Sequence, residues 1–201
     1  MKKLLLTLAL VFGTLTAANA QFGIIGGWTM AKVPTTGAEL MPKNGNLFHA
    51  GVAYKFDFGP FFTLQPELVY QGKASYVEHG GSTLYSRGNY LELGVGAQVG
   101  IDLLALRPFL LLEPFIGVDL GALNKFNGNV SQTLNEAKNK FEGGFGVGGG
   151  IELVNHIQIS VQWFMNFGKL YDPNKLNGAE MNSLNSLKNY QGVKVTLGLF
   201  F

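Results

Sequence analysis

Histidine is the side chain that most often serves as a catalytic base near neutral pH, and this chain contains His49, His79 and His156. Such a base needs a nucleophile within hydrogen-bond reach. None of the three forms a His-x-Ser pair on a strand, and no serine or acidic residue shares the strand face of His49 nearby. The acidic residues lack metal-ligand spacing, and the chain has no cysteine. We therefore expect no catalytic residue, no metal site and no cofactor.

The charged residues alternate with apolar ones, which indicates that β-strands position them. In residues 47–56, and again in 62–71, apolar side chains occupy every second position. This period of two is that of a β-strand. Asp57–Pro60 between the two arms contains Gly-Pro and predicts a turn. Each arm has about 10 residues, the length at which a tilted strand crosses a bilayer.

The same alternation recurs along the chain and predicts eight strands. They cover about 22–31, 47–56, 62–71, 89–101, 106–122, 140–153, 157–167 and 190–201. The connections alternate between long polar loops and short turns. The loops are 32–46, 74–88, 123–139 and 169–188, and the turns are 57–60, 102–105 and 154–156. Outer-membrane barrels place long loops outside and short turns on the periplasmic side, so we expect both termini in the periplasm.

The N-terminus has the pattern of an export signal. Lys2 and Lys3 precede an apolar run, and Ala18-Asn19-Ala20 is a small-x-small site, which predicts a signal peptide over residues 1–20 with cleavage between Ala20 and Gln21. Removing Lys2 and Lys3 from the 15 basic residues leaves 13, equal to the 13 acidic residues. A near-neutral chain without a clustered basic face gives no indication of nucleic-acid binding.

An exported, apolar chain without a spanning helix can cross a membrane by closing a sheet, because closure pairs every backbone group. The residues are 47% hydrophobic, and no later segment reaches 18 uncharged apolar residues. We therefore predict an all-β fold: an eight-stranded antiparallel up-and-down transmembrane β-barrel over residues 21–201, in contact with outer-membrane lipid. Proline cannot donate to a strand ladder, so bulges are expected at Pro66, Pro108 and Pro114. Tyr70, Tyr90 and Tyr190 fall near strand ends, where aromatic girdles form.

If the apolar faces meet lipid, the opposite faces form a polar lumen. The residues expected in its network are Lys55, Gln65, Glu67, Glu92, Gln98, Arg107, Glu113, Gln162 and Lys194. One interpretation is an ion pathway or binding site, and the other is a salt-bridge network that fills the barrel. Eight strands leave an interior just wide enough for side chains, which favours the filled barrel.

Glycines opposite bulky inward residues support the filled interior. Closing the short turns places Phe109 near Gln98, Leu111 near Gly96, Glu113 near Gly94 and Phe164 near Gly146. Pairing large against small residues packs a narrow barrel solid.

Several stretches resemble a known family across the whole region 21–201. They are FGIIGGW, NLFHAGVAYKF, FFTLQPELVYQGKAS, NYLELGVGAQV, RPFLLLEPFIGVDLGAL and the closing Phe201. They are similar to the outer-membrane β-barrel (porin-like) family common in Bacteroidota. The resemblance implies a small outer-membrane barrel, with no agreed activity, substrate or catalytic residue. Phe201 looks like the terminal aromatic read by the barrel-assembly machinery, although a lipid-facing strand residue would have the same character.

Three functions follow in order of preference. The first is a non-enzymatic barrel with a structural or surface-interaction role through four extracellular loops whose ligand is unknown. The second is a small porin-like diffusion channel. The third is a lipid-modifying barrel enzyme, which would need catalytic residues brought together by folding.

Overall fold

The computed structural model describes residues 20–34, 41–79, 82–126, 129–130, 136–172 and 188–201. These residues form nine strands, eight long and one of two residues. The strands are β1 (Ala20–Lys32), β2 (Met41–Phe58), β3 (Phe62–His79), β4 (Ser82–Gly100), β5 (Leu106–Phe126), β6 (Asn129–Val130), β7 (Phe141–Leu153), β8 (Ile157–Asn166) and β9 (Gln191–Phe200).

The eight long strands close into one antiparallel barrel. Each pairs with its neighbour along the chain, β5 pairs with β7, and β1 pairs with β9 from Gly23 opposite Phe200 to Lys32 opposite Gln191. The short β6 pairs only with the end of β5. Closure leaves no free edge on the eight long strands, so the predicted up-and-down barrel is confirmed.

The barrel is polar inside and apolar outside. On β5, Leu110 and Leu112 expose 72% and 53% of their surface, whereas the alternate residues Leu111 and Glu113 expose 7% and 3%. The other long strands show the same alternation, and the outer surface carries residues such as Ile24, Trp28, Phe48 and Leu93. A barrel in water would hide these side chains, so this arrangement fits lipid as the surrounding solvent.

The short turns match the predicted positions. The first joins β2 to β3 through Gly59, whose φ of 75° favours glycine. The second contains Leu104, with a φ of 57°, and the third contains Val154 and Asn155, with φ values of 47° and 61°. Two successive positive φ angles are typical of the tight hairpin turns that suit strand twist.

The strands at the opposite end are longer than predicted. β3 continues to His79 and β4 begins at Ser82, so most of the predicted loop 74–88 is a hairpin. β2 begins at Met41, and β5 continues to Phe126. Beyond the bilayer both strand faces meet polar surroundings, so polar residues can pair without the apolar alternation that marks a membrane strand. Residues 33–34, 136–139, 169–172 and 188 of the predicted loops are described and lie outside the strands. Residues 35–40, 80–81, 127–128, 131–135 and 173–187 lie outside the described residues.

The expected bulges at the prolines do not occur. The ladder is interrupted where Pro66 faces β2 and where Pro114 faces β4, but it resumes in the same register on each side. Pro66 stays paired with Val95 on β4, Pro114 with Phe145 on β7, and Pro108 with Ile151. The missing N–H therefore removes pairing with one neighbour and leaves the strand regular. The observed register shifts lie between Gly45 and His49 and between Asn89 and Tyr90.

The register between β4 and β5 differs by two residues from the prediction. Gln98 pairs with Leu111 instead of Phe109, and Phe109 pairs with Gly100. The large-against-small packing is present. A Cβ built on Gly96 would lie 3.0 Å from Leu111 Cδ1, and one on Gly94 would lie 2.7 Å from Glu113 Oε1. These contacts run diagonally across the two strands.

Both chain termini of the barrel lie at the end with the short turns. Ala20 and Gln21 pair with Phe56 and Lys55, and the Phe201 N–H donates to the Phe22 carbonyl at 2.8 Å. Residues 1–19 lie outside the described residues, so the signal peptide and its cleavage stay predictions. The role of Phe201 in assembly also stays a prediction. The described residues contain no helix with the length and hydropathy needed to span a membrane.

Candidate functional site

The polar interior of the barrel is the candidate site, because nine charged residues of the strands are buried there. The nine residues expected in the lumen are all buried. Eight of them, together with Glu152, form two groups along the barrel. We call these groups the lower cluster, at the short-turn end, and the middle cluster. The lower cluster is Lys55, Gln65, Gln98, Arg107 and Glu152, and the middle cluster is Glu67, Glu113, Gln162 and Lys194. Glu92 lies further up the barrel.

The lower cluster links strands on both sides of the lumen. Lys55 donates to Glu152 Oε1, and Arg107 Nη1 lies 3.6 Å from Glu152 Oε2. Arg107 Nη1 also donates to Gln98 Oε1 at 3.2 Å, and Gln98 donates to Gln65 Oε1 at 2.9 Å. Charge and amide groups therefore form a continuous chain across this end of the interior.

The middle cluster centres on Lys194. Its Nζ donates to both carboxylate oxygens of Glu113, at 3.1 and 3.3 Å, and lies 3.7 Å from Glu67 Oε1. Gln162 donates to Glu113 Oε2 at 2.7 Å, and Gln65 donates to Glu67 Oε2 at 3.4 Å. Each carboxylate in this cluster therefore has an amide donor in addition to the lysine.

His49 lies in the interior with partners from other strands. Its Nδ1 is 3.0 Å from Thr29 Oγ1, its Nε2 is 3.0 Å from Thr196 Oγ1, and Gln71 donates to the same Thr29 oxygen at 2.6 Å. The sequence showed no partner on the strand face of His49, because both hydroxyls come from other strands, Thr29 from the adjacent β1 and Thr196 from β9 beyond it. Two hydroxyls and no carboxylate in direct contact describe a hydrogen-bonded core histidine, not a catalytic triad.

Lys73 was not among the residues expected in the lumen, and it is fully buried, with 1% of its surface exposed. Its Nζ lies 2.8 Å from both Glu92 Oε1 and Glu142 Oε1 and donates to Asn166 Oδ1 at 3.2 Å. The contact with Glu92 lacks hydrogen-bond geometry, so that oxygen is held by charge alone. Asn166 in turn donates to Glu142 Oε2.

Three aromatic rings complete the surroundings of this ammonium group. The Nζ of Lys73 lies 5.1 Å from the ring centre of Tyr90, 4.9 Å from Phe115 and 5.1 Å from Phe164. Each distance is within the range of a cation–π contact. We call Lys73, Glu92, Glu142, Asn166 and these three rings the caged-lysine cluster.

A tyrosine-rich layer lies above the cage, at the end where the strands are long. Tyr171 donates to Asn124 Oδ1 at 2.9 Å and to Ser86 Oγ at 3.1 Å, and the Tyr190 hydroxyl is 3.0 Å from the same serine. Lys138, outside the strands, lies 2.9 Å from Asp119 Oδ2. Burial lowers the pKa of Lys138, although the Asp119 carboxylate opposes this shift.

Two tyrosines expected in the interfacial girdle are therefore interior residues. Tyr90 and Tyr190 are fully buried, and their rings meet edge to face at 6.3 Å. Tyr70 does lie on the outer surface, against Phe48 at 6.0 Å. Strand parity could have corrected the prediction, because Tyr90 shares its face with Glu92 and Tyr190 shares its face with Lys194.

The charged groups of the interior are arranged in pairs. Across the described ranges, no group of three or more histidine, aspartate or glutamate side chains is placed to hold a metal ion. The buried carboxylates are paired with lysine, arginine or amide groups. The interior histidine contacts two threonine hydroxyls, of which Thr29 is buried and Thr196 is half-buried.

A closed barrel with an apolar outside and a paired polar inside defines an outer-membrane β-barrel. The family model described as "Outer membrane protein beta-barrel domain" matches residues 16–172. The match covers more than half of the chain, and the chain belongs to this family. Its location is accordingly the outer membrane.

Two solved structures are similar to this chain in fold. Ail, the attachment invasion locus protein of Yersinia pestis, is 14% identical, with a TM-score of 0.47, and neisserial surface protein A is 15% identical, with a TM-score of 0.48. Each alignment covers 90% of this chain and 97% of the other. No curated protein sequence matches the chain significantly.

Proposed function

We propose that this protein is a non-enzymatic outer-membrane barrel that is closed to solutes and acts at the cell surface through its long loops. The quoted motifs support a further assignment to the porin-like type common in Bacteroidota, where "porin-like" describes the barrel and not a conducting pore. The ligand of the loops is not part of the proposal.

The observation that carries this proposal is the set of ion pairs that cross the lumen. Lys55 on β2 pairs with Glu152 on β7, four positions away in a ring of eight strands. Lys73 on β3 reaches Glu142 on β7, and Lys194 on β9 reaches Glu113 on β5. Pairs between non-neighbouring strands occupy the cross-section at three levels. A continuous aqueous path would have to break one buried pair at each level.

Conductance in a planar lipid bilayer tests the closed barrel. The purified parent protein should give no stable, stepwise conductance, because the three levels of ion pairs and the inward rings fill the lumen. The matched control removes the bulky inward side chains of β5 in one variant with four serine substitutions. Its positions are Phe109, Leu111, Glu113 and Phe115.

The control variant should conduct if it folds, which shows that the assay detects an open lumen of this size. Stepwise conductance from the parent monomer would overturn the proposal in favour of the diffusion channel. Hydrolysis or acyl transfer by the parent on lipid A or phospholipid would favour the enzyme instead.

The orientation is part of the same proposal: the long loops face outward and both termini face the periplasm. Trypsin added to whole cells should cut at the exposed residues Lys140, Lys169 and Lys188 at the long-loop end. Chymotrypsin should cut at the fully exposed Leu104, in a short turn, only after the outer membrane is opened. Cleavage at Leu104 in intact cells would invert the topology.

A further inference from the structure

A groove on the lipid-facing surface lies near the long-loop end of β8, β9 and β1. Its volume is about 240 Å³, and its walls are Met30, Lys32, Trp163, Gln191, Gly192 and Val193. Val193 on β9 pairs with Trp163 on β8 and with Met30 on β1. Lys32 pairs with Gln191 at the last position of the ladder between β1 and β9. The groove therefore has an apolar floor at membrane depth and a lysine with an amide at its outer end.

The exposed charges of the barrel are distributed unequally between its two ends. Among the described side chains, the exposed or half-exposed cations at the long-loop end are Lys32, Arg87, Lys125, Lys140, Lys169 and Lys188. The anions at that end are Glu136, Asp119 and Asp172. At the short-turn end Asp57 and Asp102 reach the surface, whereas Lys55 and Arg107 are buried. The long-loop rim is therefore positive where the headgroups of one leaflet lie.

Lys32 is available for a ligand at this rim. None of the ion pairs seen among the described residues includes Lys32. A lysine at the edge of an apolar surface extends its ammonium group to the headgroup level.

We propose that this groove is a binding site for an anionic phospholipid-type molecule of the leaflet at the long-loop end. One acyl chain lies against Trp163, Val193 and Met30, and the phosphate accepts hydrogen bonds from Lys32 and from the Gln191 amide. The occupant is a membrane lipid because the apolar floor faces the bilayer, and it is anionic because Lys32 closes the outer end. The leaflet depends on the orientation given under the proposed function.

Tryptophan fluorescence in nanodiscs tests the site. The chain has two tryptophans, so a Trp28→Phe variant leaves Trp163 in the groove as the reporter. Phosphatidylglycerol and phosphatidylcholine, each brominated on the acyl chain, are compared at equal mole fraction as quenchers. One lysine near an anionic headgroup contributes about 1 kcal/mol, so Trp163 should prefer the anionic lipid by about fivefold.

Variants of single lysines give the matched controls. Lys32→Gln should bring the preference close to one, and Lys32→Arg should retain most of it. Lys125→Gln removes another half-exposed rim lysine, on β5 across the barrel, and should leave the preference unchanged. Inorganic phosphate at millimolar concentration should not compete, because the acyl chain supplies part of the binding. Competition by inorganic phosphate would indicate a simple anion site and would overturn the proposal that the groove binds a lipid.

Equal quenching by the two lipids in the parent, or an unchanged preference in Lys32→Gln, would overturn the site. Heat-modifiable migration of each variant on a gel verifies that the barrel is folded. The conductance assay separates this result from the proposed function. A conducting barrel that keeps the lipid preference would overturn only the closed lumen. A closed barrel without the preference would overturn only the lipid site.

Discussion

Lys73 and Lys194 are both buried between two glutamates, yet their surroundings differ. Around Lys194, Gln162 and Gln65 provide amide donors to Glu113 and Glu67. Around Lys73, three aromatic rings take the place of most of those amides. Asn166 donates to Glu142, whereas Glu92 Oε1 is stabilised by the lysine charge without a hydrogen bond. The middle cluster is thus a hydrogen-bonded network, and the caged-lysine cluster is a charge centre with apolar walls.

The difference indicates how each level of the barrel depends on its cation. A buried carboxylate that loses its lysine can still be stabilised by a neighbouring amide, because hydrogen bonds to a charge offset part of its desolvation. Glu142 has such an amide in Asn166, but Glu92 Oε1 has no hydrogen-bond donor to replace the lysine. We therefore expect the same substitution to cost more at Lys73 than at Lys194.

The largest expected effect is that of Lys73→Met. It leaves Glu92 and Glu142 buried without their cation, and breaking a buried pair from one side costs about 3–5 kcal/mol. Urea unfolding in lipid vesicles, followed by gel migration, should show this loss of unfolding free energy.

The control for Lys73→Met removes the orphaned charges as well. The triple variant Lys73→Met/Glu92→Gln/Glu142→Gln should recover most of the lost stability, because neutral amides cost less to bury than carboxylates. A single variant as stable as the parent would show that Lys73 is not the counter-charge of this cluster.

Lys194→Met should have a smaller effect, about 1–3 kcal/mol, because the amides of Gln162 and Gln65 remain as donors to the two carboxylates. The same unfolding measurement compares the two methionine variants directly. Adding Gln162→Leu to Lys194→Met should bring the loss close to that of Lys73→Met. Equal costs for the two single variants would contradict the comparison between the clusters.

The barrel itself was predictable because alternation at membrane depth is imposed by two solvents, lipid outside and packed side chains inside. Leu112 and Glu113 illustrate this, since adjacent residues of opposite character fall on opposite faces. The strand ends were not predictable in the same way. Residues 74–79 and 82–88 are polar, and nothing in their pattern separates a hairpin that extends into water from a loop.

The contrast between alternating segments and polar strand ends also explains which interior residues the sequence did not predict. Lys55, Glu113 and Lys194 lie within alternating segments, so parity alone places them in the lumen. Lys73 falls between the predicted strand 62–71 and the predicted loop 74–88. Because it was not assigned to a strand, the alternation of faces could not place its side chain in the lumen. The partners of His49 come from strands 20 and 147 residues away, a relation that depends on barrel closure and register.

The smallest effect concerns the rings of the cage. Phe115 lies 4.9 Å from the Lys73 ammonium and is buried, so Phe115→Leu keeps an apolar side chain but removes the ring face. A desolvated cation–π contact contributes up to about 2 kcal/mol, and the shape change adds a packing loss that is not specific to the cation. A double-mutant cycle separates the two, with the triple variant that lacks the charges of the cluster as the second background. Phe115→Leu should cost about 1–2 kcal/mol more in the parent than in that background, because only the parent has a cation for the ring to face. Phe109→Leu, at an equally buried ring 6.0 Å from Arg107, should cost the same in both backgrounds. If the two phenylalanines behave alike across the cycle, the rings around Lys73 are packing residues only, and the caged-lysine cluster would differ from the middle cluster only in having one amide donor, Asn166, where the middle cluster has two.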